Sequence, residues 1–398
     1  MSTEDGYKKS VQQTDNFENF FIPYGRPVID EEDIQAVIEV LRSGWITTGP
    51  KVVEFEKAVA DFVGAKEAVA VSNGTAALHT AIHAAGIGPG DEVILPPITF
   101  VATANAVLYC GGTPVFADVD PGTLLIDPAK VAEKITSNTK AIVAVDYAGQ
   151  PCDYDALKDI ARRRDLLVVA DACHALGAEY KDEKVGTLAD LTVFSFHPVK
   201  HITTGEGGMV VADNPKLAEK MRRFRNHGIA ADYHQRAEHG TWFYEMVELG
   251  HNYRITDFQC ALGISQLKKL PQWIEKRREI VDSYASRFKN MPGIRPLDIS
   301  SDVFHSFHLY VVRLDLDRLS VSRRKIFFEL RNNGIGVNVH YIPVHLHPFY
   351  MERLGSRKGD CPVAEAAYEQ IFTLPLYPSM SDDDIAYVVD RLANAMES

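Results

Sequence analysis

The chain has 398 residues, a net charge of −12, 46% hydrophobic residues and 24% charged residues. These values are typical of a globular protein of two domains, or of one large domain with an appendage, and the acidic balance argues against a nucleic-acid-binding surface. Five scattered cysteines without a CxxC pair, a polar start and no apolar run of about 20 residues predict a cytoplasmic protein without disulfides, a zinc framework or a membrane span.

We interpret residues 1–22 as an N-terminal arm that is either mobile or packed on a partner subunit. Two helices, each closed by a glycine, are predicted between Val28 and Gly64. The loop WITTGP between them exposes hydroxyl groups such as that of Thr47. This pattern is as consistent with a plain connector as with a contact to a ligand.

A short strand, EAVAV, is followed by a small polar loop and a helix that starts near Thr75. Backbone N–H groups at a helix N-terminus bind phosphate, and Gly74 allows the chain to approach closely. The signal is weaker than a Walker loop because no lysine follows the glycine. Phe100 also follows a strand and opens a helix, so it is either a core residue or an aromatic ring that stacks on a flat ligand.

Short apolar strands then alternate with helical stretches as far as MVVAD, which ends at Asp213. This alternation predicts an α/β fold with a doubly wound, mainly parallel sheet. The segment GIGPGDEV resembles a dinucleotide fingerprint but precedes its strand, so it does not predict a nicotinamide site. Because the composition changes near Lys268, we expect a large domain over 23–267 and a smaller α+β domain over 268–398.

Two residues in this alternation suggest chemistry. Asp171 ends a buried strand, LLVVAD, and Lys200 lies in a loop between the strands LTVFSF and MVVAD. Ligand crevices lie at the carboxyl ends of parallel strands, and an apolar setting lowers the pKa of a lysine so that its amine can form a Schiff base. Taken alone, Lys200 is more simply interpreted as a surface lysine of a glycine-rich hairpin. A carboxylate opposite the lysine favours pyridoxal 5′-phosphate (PLP), whose ring nitrogen needs an acid partner.

The histidines His340, His345 and His347 suggest a metal site at first sight. No acidic or cysteine residue stands at ligand spacing beside them, so we expect no metal there. Hydrogen bonding to a polar ligand, or ordinary loop packing, is the expected role. Cys173 beside His174 is not a nucleophile pair, because adjacent side chains at a strand end point apart.

Seven segments in order carry a resemblance to a known family: SGWITTGP, SNGTAAL, PPITFVATANAV, DACHALGA, SFHPVKHITTGEGGM, GHNYRITDFQCALG and VNVHYIPVHLHPFY. From about Pro23 to its C-terminus the chain resembles the DegT/DnrJ/EryC1/StrS sugar aminotransferases, which are fold-type I PLP enzymes. The segments HPVKHITTGEGG and HYIPVHLHPFY look most like the branch from pseudaminic acid biosynthesis. Those enzymes use glutamate to convert a UDP-linked 4-keto-6-deoxy-N-acetyl sugar to UDP-4-amino-4,6-dideoxy-N-acetyl-β-L-altrosamine.

The resemblance implies roles for the residues around the cofactor. It makes Lys200 the Schiff-base lysine and Asp171 the partner of the pyridine nitrogen. His174 occupies the place where many relatives carry a glutamine near the ring hydroxyl. The phosphate and the ring face of the cofactor would be held by Gly74, Thr75, Ser195 and Phe100.

The resemblance also implies partners. Asn252 matches a residue that reaches the cofactor phosphate of the neighbouring subunit, which implies a homodimer with shared active sites. Arg254 is the candidate for binding the carboxylate of the donor. Candidates for binding the nucleotide sugar are Thr47, His340, Tyr341 and His345.

Three alternatives remain open at this point. A GDP- or dTDP-linked keto sugar could replace the UDP sugar, because no residue visibly distinguishes uracil from guanine. The sugar 3-dehydratase of the same family has histidine in place of the lysine, so Lys200 argues against it. A non-catalytic PLP-binding regulator would be expected to carry a DNA-binding appendage, and none is seen in the sequence.

Overall fold

The structure is a computed structural model that describes residues 21–230, 240–289 and 291–397. The predicted N-terminal arm lies outside these ranges except for Phe21 and Ile22. Ile22 is anchored on both sides: its N–H group donates to the Gly334 carbonyl (2.9 Å), and its own carbonyl accepts from the Gly336 N–H group (2.7 Å). Within the described ranges, no helix is both long enough and apolar enough to cross a membrane.

The first part of the chain alternates helices and strands. The helices are α1 (Glu31–Ser43), α2 (Pro50–Val63), α3 (Gly74–Ala84), α4 (Val101–Tyr109), α5 (Pro128–Lys134), α6 (Tyr154–Arg164) and α7 (Pro215–Arg225). The strands are β1 (Glu67–Val71), β2 (Glu92–Leu95), β3 (Thr113–Phe116), β4 (Thr139–Val145), β5 (Leu167–Asp171), β6 (Glu179–Tyr180), β7 (Glu183–Lys184), β8 (Leu191–Ser195) and β9 (Gly208–Ala212).

Seven of these strands form one sheet in the order β1-β9-β8-β5-β4-β2-β3. All neighbours pair in parallel except β9, which is antiparallel to both β1 and β8. The strands are nearly continuous apolar runs because both faces of a parallel sheet are covered by helices. The predicted mainly parallel α/β sheet is therefore confirmed.

The rest of the chain begins with a long helix, α8 (Asp257–Phe288). It continues through β10 (Ile294–Pro296), β11 (Val303–Phe304), β12 (Tyr310–Leu314), α9 (Arg323–Asn332), α10 (Pro348–Leu354), α11 (Pro362–Gln370), β13 (Ile371–Leu374) and α12 (Asp382–Glu397). Strands β10, β12 and β13 form an antiparallel sheet. This arrangement matches the expected smaller α+β unit.

Helix α8 connects two hydrophobic cores. Leu270 and Ile274 pack in the core of the large sheet, whereas Tyr284 and Phe288 pack in a second core with the antiparallel sheet. The predicted domain boundary between 267 and 268 falls inside this helix. The division into domains at that position stays a prediction.

The start of α8 also holds the start of α2. The N-cap residue of α2 is Gly49, which has no side chain to accept from the first turn. The buried carboxylate of Asp257 supplies that acceptor: it takes hydrogen bonds from the N–H groups of Gly49 (2.8 Å) and Lys51 (2.9 Å). The loop WITTGP is thereby fixed against α8.

We expect Asp257→Ala to lower the free energy of unfolding by about 2 kcal/mol, because two N–H groups lose their buried acceptor. Urea unfolding followed by circular dichroism measures this change. The matched control is Asp61→Ala, which removes an exposed carboxylate 2.9 Å from Lys57 and should leave the unfolding midpoint nearly unchanged. Equal effects of the two substitutions would contradict this account of α2.

Candidate active site

Asp171 stands at the carboxyl end of a central strand of the large sheet. It is the last residue of β5 and only 6% exposed. Its Oδ2 accepts from the Thr103 hydroxyl of α4 (2.6 Å), and its Oδ1 accepts from the Cys173 N–H group (3.3 Å). A buried carboxylate must be hydrogen-bonded, and these two donors fix its orientation as well.

Lys200 lies in the loop that joins β8 to β9, at the same edge of the sheet. Its amine nitrogen is 3.4 Å from His308 Nε2. Burial lowers the pKa of Lys200, while the charge of the nearby Asp171 opposes that shift. The structure therefore brings Lys200 and Asp171 within electrostatic reach of each other, with an amine that loses its proton more readily than an exposed one.

His174 and two aromatic residues form one wall beside this pair. The Ala148 N–H group donates to His174 Nδ1 (3.3 Å), and His174 Nε2 lies 3.1 Å from the Tyr341 hydroxyl. Burial, and then the charge of Lys200, holds the pKa of His174 well below its ordinary value. The ring is therefore neutral, with its hydrogen on Nε2 facing Tyr341. The ring of Phe100 is 6.1 Å from that of Tyr341 and 57% exposed, so Phe100 is not a core residue.

The first turn of α3 lies against the end of β8 and near Cys173. Asn73 caps the helix by accepting from the Ala76 N–H group (2.8 Å), which leaves the N–H groups of Gly74 and Thr75 ahead of the first turn. A Cβ on Gly74 would lie 2.9 Å from Ser195 Cβ, so only glycine allows β8 to approach this closely. Two N–H groups and a hydroxyl at a helix N-terminus suit a phosphate group.

These features together fit PLP. The amine of Lys200 suits the aldehyde, the carboxylate of Asp171 suits the ring nitrogen, and the first turn of α3 suits the phosphate. Within the part of the chain that the structure describes, no group of three His, Cys, Asp or Glu side chains is arranged to hold a metal ion.

Three of the predicted site residues are not joined to the central pair. Thr47 and Asn252 are exposed, and their backbones pair with Thr256 and Asn226. Arg254 donates from Nη1 to the Asn226 side-chain oxygen (2.8 Å). Among the described residues, no hydrogen bond joins any of the three to Lys200 or Asp171.

The two other predicted histidines have different surroundings. His340 is buried near the cavity, with Nδ1 3.0 Å from the Thr373 hydroxyl, and the charge of Lys200 contributes after burial to lowering its pKa to about 3. His345 is fully buried, and its Nε2 lies 2.9 Å from Glu365 Oε1. His345 therefore packs the turn before α10 against α11, and we no longer assign it to the substrate.

Sequence reasoning missed two residues that contact the central pair, Thr103 and His308. Thr103 lies in the apolar run VATANAV, whose pattern is that of a core helix. His308 precedes the strand YVVRL, and a lone histidine beside a strand is not a signal of a site. Only the three-residue spacing of His305 and His308 could have drawn attention to this segment.

Comparisons with known proteins agree with this geometry. The sequence profile of the DegT/DnrJ/EryC1/StrS aminotransferase family matches residues 27–393. The spore coat polysaccharide biosynthesis protein SpsC of Bacillus subtilis is 44% identical over 381 residues, which are 95% of this chain and 98% of SpsC.

Solved structures show the same likeness. Helicobacter pylori PseC, an aminotransferase involved in the biosynthesis of pseudoaminic acid, superposes with a TM-score of 0.88 at 34% identity, covering 94% of this chain and 99% of PseC. A proposed sugar aminotransferase of Streptococcus pneumoniae, solved in its PLP form, has the same TM-score at 34% identity, covering 95% of this chain and 99% of the other. The predicted family, fold type, transaminase activity and cofactor are confirmed. The chain belongs to the DegT/DnrJ/EryC1/StrS aminotransferase family and is a PLP-dependent sugar aminotransferase.

Proposed function

We propose that this protein is a cytoplasmic homodimer that transfers the amino group of glutamate to C4 of a UDP-linked 4-keto-6-deoxy-N-acetylhexosamine, in a pathway of the pseudaminic acid type. The observation that carries amino transfer is the half-buried amine of Lys200, which lies at the same edge of the sheet as the carboxylate of Asp171 and interacts with its charge. The likeness to PseC supports the sugar class. A GDP- or dTDP-linked keto sugar is the second candidate, because SpsC, at 44% identity, belongs to spore coat polysaccharide biosynthesis.

We assign the cofactor contacts to residues of both sides of the cavity. Asp171 faces the ring nitrogen and Phe100 the ring, while Gly74, Thr75 and Ser195 hold the phosphate. When bound, PLP supplies an electron sink that makes the substrate carbon acidic. His174 and Tyr341 complete the wall of the cavity, and His340 lies behind them. We assign Tyr341 to the binding of the sugar.

Lys200 is the residue that moves the proton. Because burial lowers its pKa, its amine is available in the neutral form to accept a proton from the α-carbon of glutamate. It later returns a proton to C4 of the sugar, and the face from which it does so sets the stereochemistry of the product. Asp171 is already fixed by two hydrogen bonds, so its charge stabilises the reacting system without reorganisation.

We assign the exposed residues Thr47 and Asn252 and the half-buried Arg254 to the active site of the partner subunit. Exposed apolar side chains adjoin them in the sequence: Trp45 and Ile46 precede Thr47, and Leu249, which is 77% exposed, precedes Asn252. Apolar surface of this kind marks contact with another protein. A second copy of the chain that covers it would receive Asn252 at its cofactor phosphate and Arg254 at its donor carboxylate.

The first prediction concerns the reactive amine. We expect Lys200→Ala to lose both turnover and the visible absorption band of the lysine-bound cofactor, because no other residue replaces its amine. Absorption spectroscopy and an assay of 2-oxoglutarate release measure the two effects. Lys140→Ala, which changes an exposed lysine of β4, should alter neither. A Lys200→Ala enzyme that keeps its band and turnover would refute the assignment.

The second prediction concerns the substrate. Offered a panel of UDP-, dTDP- and GDP-linked 4-keto-6-deoxy sugars with glutamate, the enzyme should aminate the UDP-linked N-acetylated sugar with the highest kcat/KM. NMR of the product identifies the aminated carbon and its configuration. A preference for a dTDP- or GDP-linked sugar would replace our substrate by the second candidate, and amination at C3 would overturn the proposed position.

The third prediction concerns the shared site. Lys200→Ala and Asn252→Ala should each lower the activity of the enzyme. The loss for Asn252→Ala should be about tenfold or more, because a phosphate contact is removed. A mixed dimer contains one Lys200→Ala subunit and one Asn252→Ala subunit. One of its two sites contains an intact Lys200 and receives an intact Asn252 from the partner. Random mixing should therefore restore about a quarter of the wild-type activity, because half of the dimers carry one good site of two. A mixture no more active than the mean of its parents, or a monomer by light scattering, would contradict the proposal.

A further inference from the structure

His308 contacts the reactive lysine but has no role in the mechanism above. It lies just before β12, and its side chain is buried, with Nε2 3.4 Å from the Lys200 amine nitrogen. Its backbone is held tightly: the carbonyl accepts from Arg277 Nη1 of α8 (3.4 Å). A Cβ on Gly149 would lie 2.9 Å from the backbone nitrogen of His308, so a glycine is needed for this approach. The position of the imidazole is therefore set by elements on two sides.

The second ring nitrogen shows where the hydrogen of this imidazole lies. Nδ1 of His308 is buried and has no hydrogen-bond partner among the described residues. Burial holds the pKa of His308 well below its ordinary value, so the ring is neutral and carries one hydrogen. A buried N–H group without an acceptor is rarer than an acceptor without a donor. The hydrogen is therefore on Nε2, which faces Lys200.

The other groups around Lys200 and His308 do not offer the amine the same hydrogen-bond donor. Asp171 carries a negative charge that favours the protonated form of Lys200. Burial raises the pKa of the Cys173 thiol well above its ordinary value, so that group stays neutral. The titratable groups that face His308 itself are Lys200, His174, His201 and Arg277. Of these, His201 is engaged with the Ser306 carbonyl (3.0 Å) and Arg277 with backbone carbonyls.

We propose that His308 is a positioning residue for Lys200: its Nε2–H group donates to the free amine and holds that amine neutral at the edge of the cavity. A hydrogen bond to the lone pair stabilises the neutral amine and so offsets the effect of Asp171. This inference rests on the proposed function of Lys200, because the amine must be neutral and in place to attack an aldehyde or to accept a proton from carbon. A histidine that only packs in the core would neither donate to the amine nor hold it neutral.

Loading of the cofactor tests this role without any substrate. The full-length chain is stripped of PLP, and the return of the visible band is followed after PLP is added, over a range of pH. His308→Leu keeps the volume but removes the donor, and loading at neutral pH should slow about tenfold, with its pH midpoint moved upward. His308→Gln, whose amide can donate near the position of Nε2, should load within about twofold of the wild type. Loading of His308→Leu at the wild-type rate at every pH would overturn the proposal.

A second measurement separates positioning from folding. In the glutamate half-reaction, kcat of His308→Leu should fall about tenfold with little change in KM, and His308→Gln should restore it. A merely structural role would lower the thermal midpoint of both variants and would not be rescued by glutamine, and that result would overturn the proposal. Should His308→Leu fail to fold, His308→Asn, whose amide is too short to reach the amine, takes its place with the same expectations. Because loading needs neither glutamate nor sugar, failure of this inference is distinguishable from failure of the proposed function.

Discussion

A negative charge at the end of a buried strand is the constraint on which the rest of the site depends. Asp171 ends β5 between β4 and β8, where water cannot compensate a carboxylate. The fold compensates it instead with the Thr103 hydroxyl, which α4 carries across from the neighbouring part of the sheet. A mostly apolar helix therefore contributes a polar residue at the position where it reaches the carboxylate.

The sheet topology then determines where the amine can stand. Because β8 is parallel to β5, the loop that follows β8 leaves the sheet at the edge where Asp171 ends. Strand β9 returns antiparallel to β8, so the loop 196–207 that carries Lys200 is the connection of a hairpin. The return strand passes so close to the first turn of α3, the phosphate-binding turn of our proposal, that a Cβ on Gly208 would lie 2.5 Å from the Asn73 carbonyl oxygen. One hairpin thus connects the amine of the site to the turn that we assign to the phosphate.

The parts of the fold and site that depend on local pattern were predictable from the sequence. Apolar runs with polar ends identified β5 and placed Asp171 and Lys200 at one edge of a parallel sheet. Contacts between distant segments were not predictable, because neither partner carries a local signal. Thr103 looks like part of a core helix, His308 like a residue before a strand, and His345 like a free loop histidine until Glu365 is found beside it.

The segment that presents Asn252 is fixed to the same helix that carries the phosphate-binding turn. The Ser72 N–H group donates to the Tyr253 carbonyl (2.8 Å) just ahead of α3, and His79 of α3 lies 3.0 Å from the Tyr253 hydroxyl. If Asn252 reaches the partner's cofactor, as we propose, a displacement of α3 in one subunit moves a phosphate ligand of the other. Dimer assembly and the order of the phosphate-binding turn are then coupled. The segment with Asn252, which reaches into the partner subunit, is anchored by Tyr253 to α3 of its own subunit.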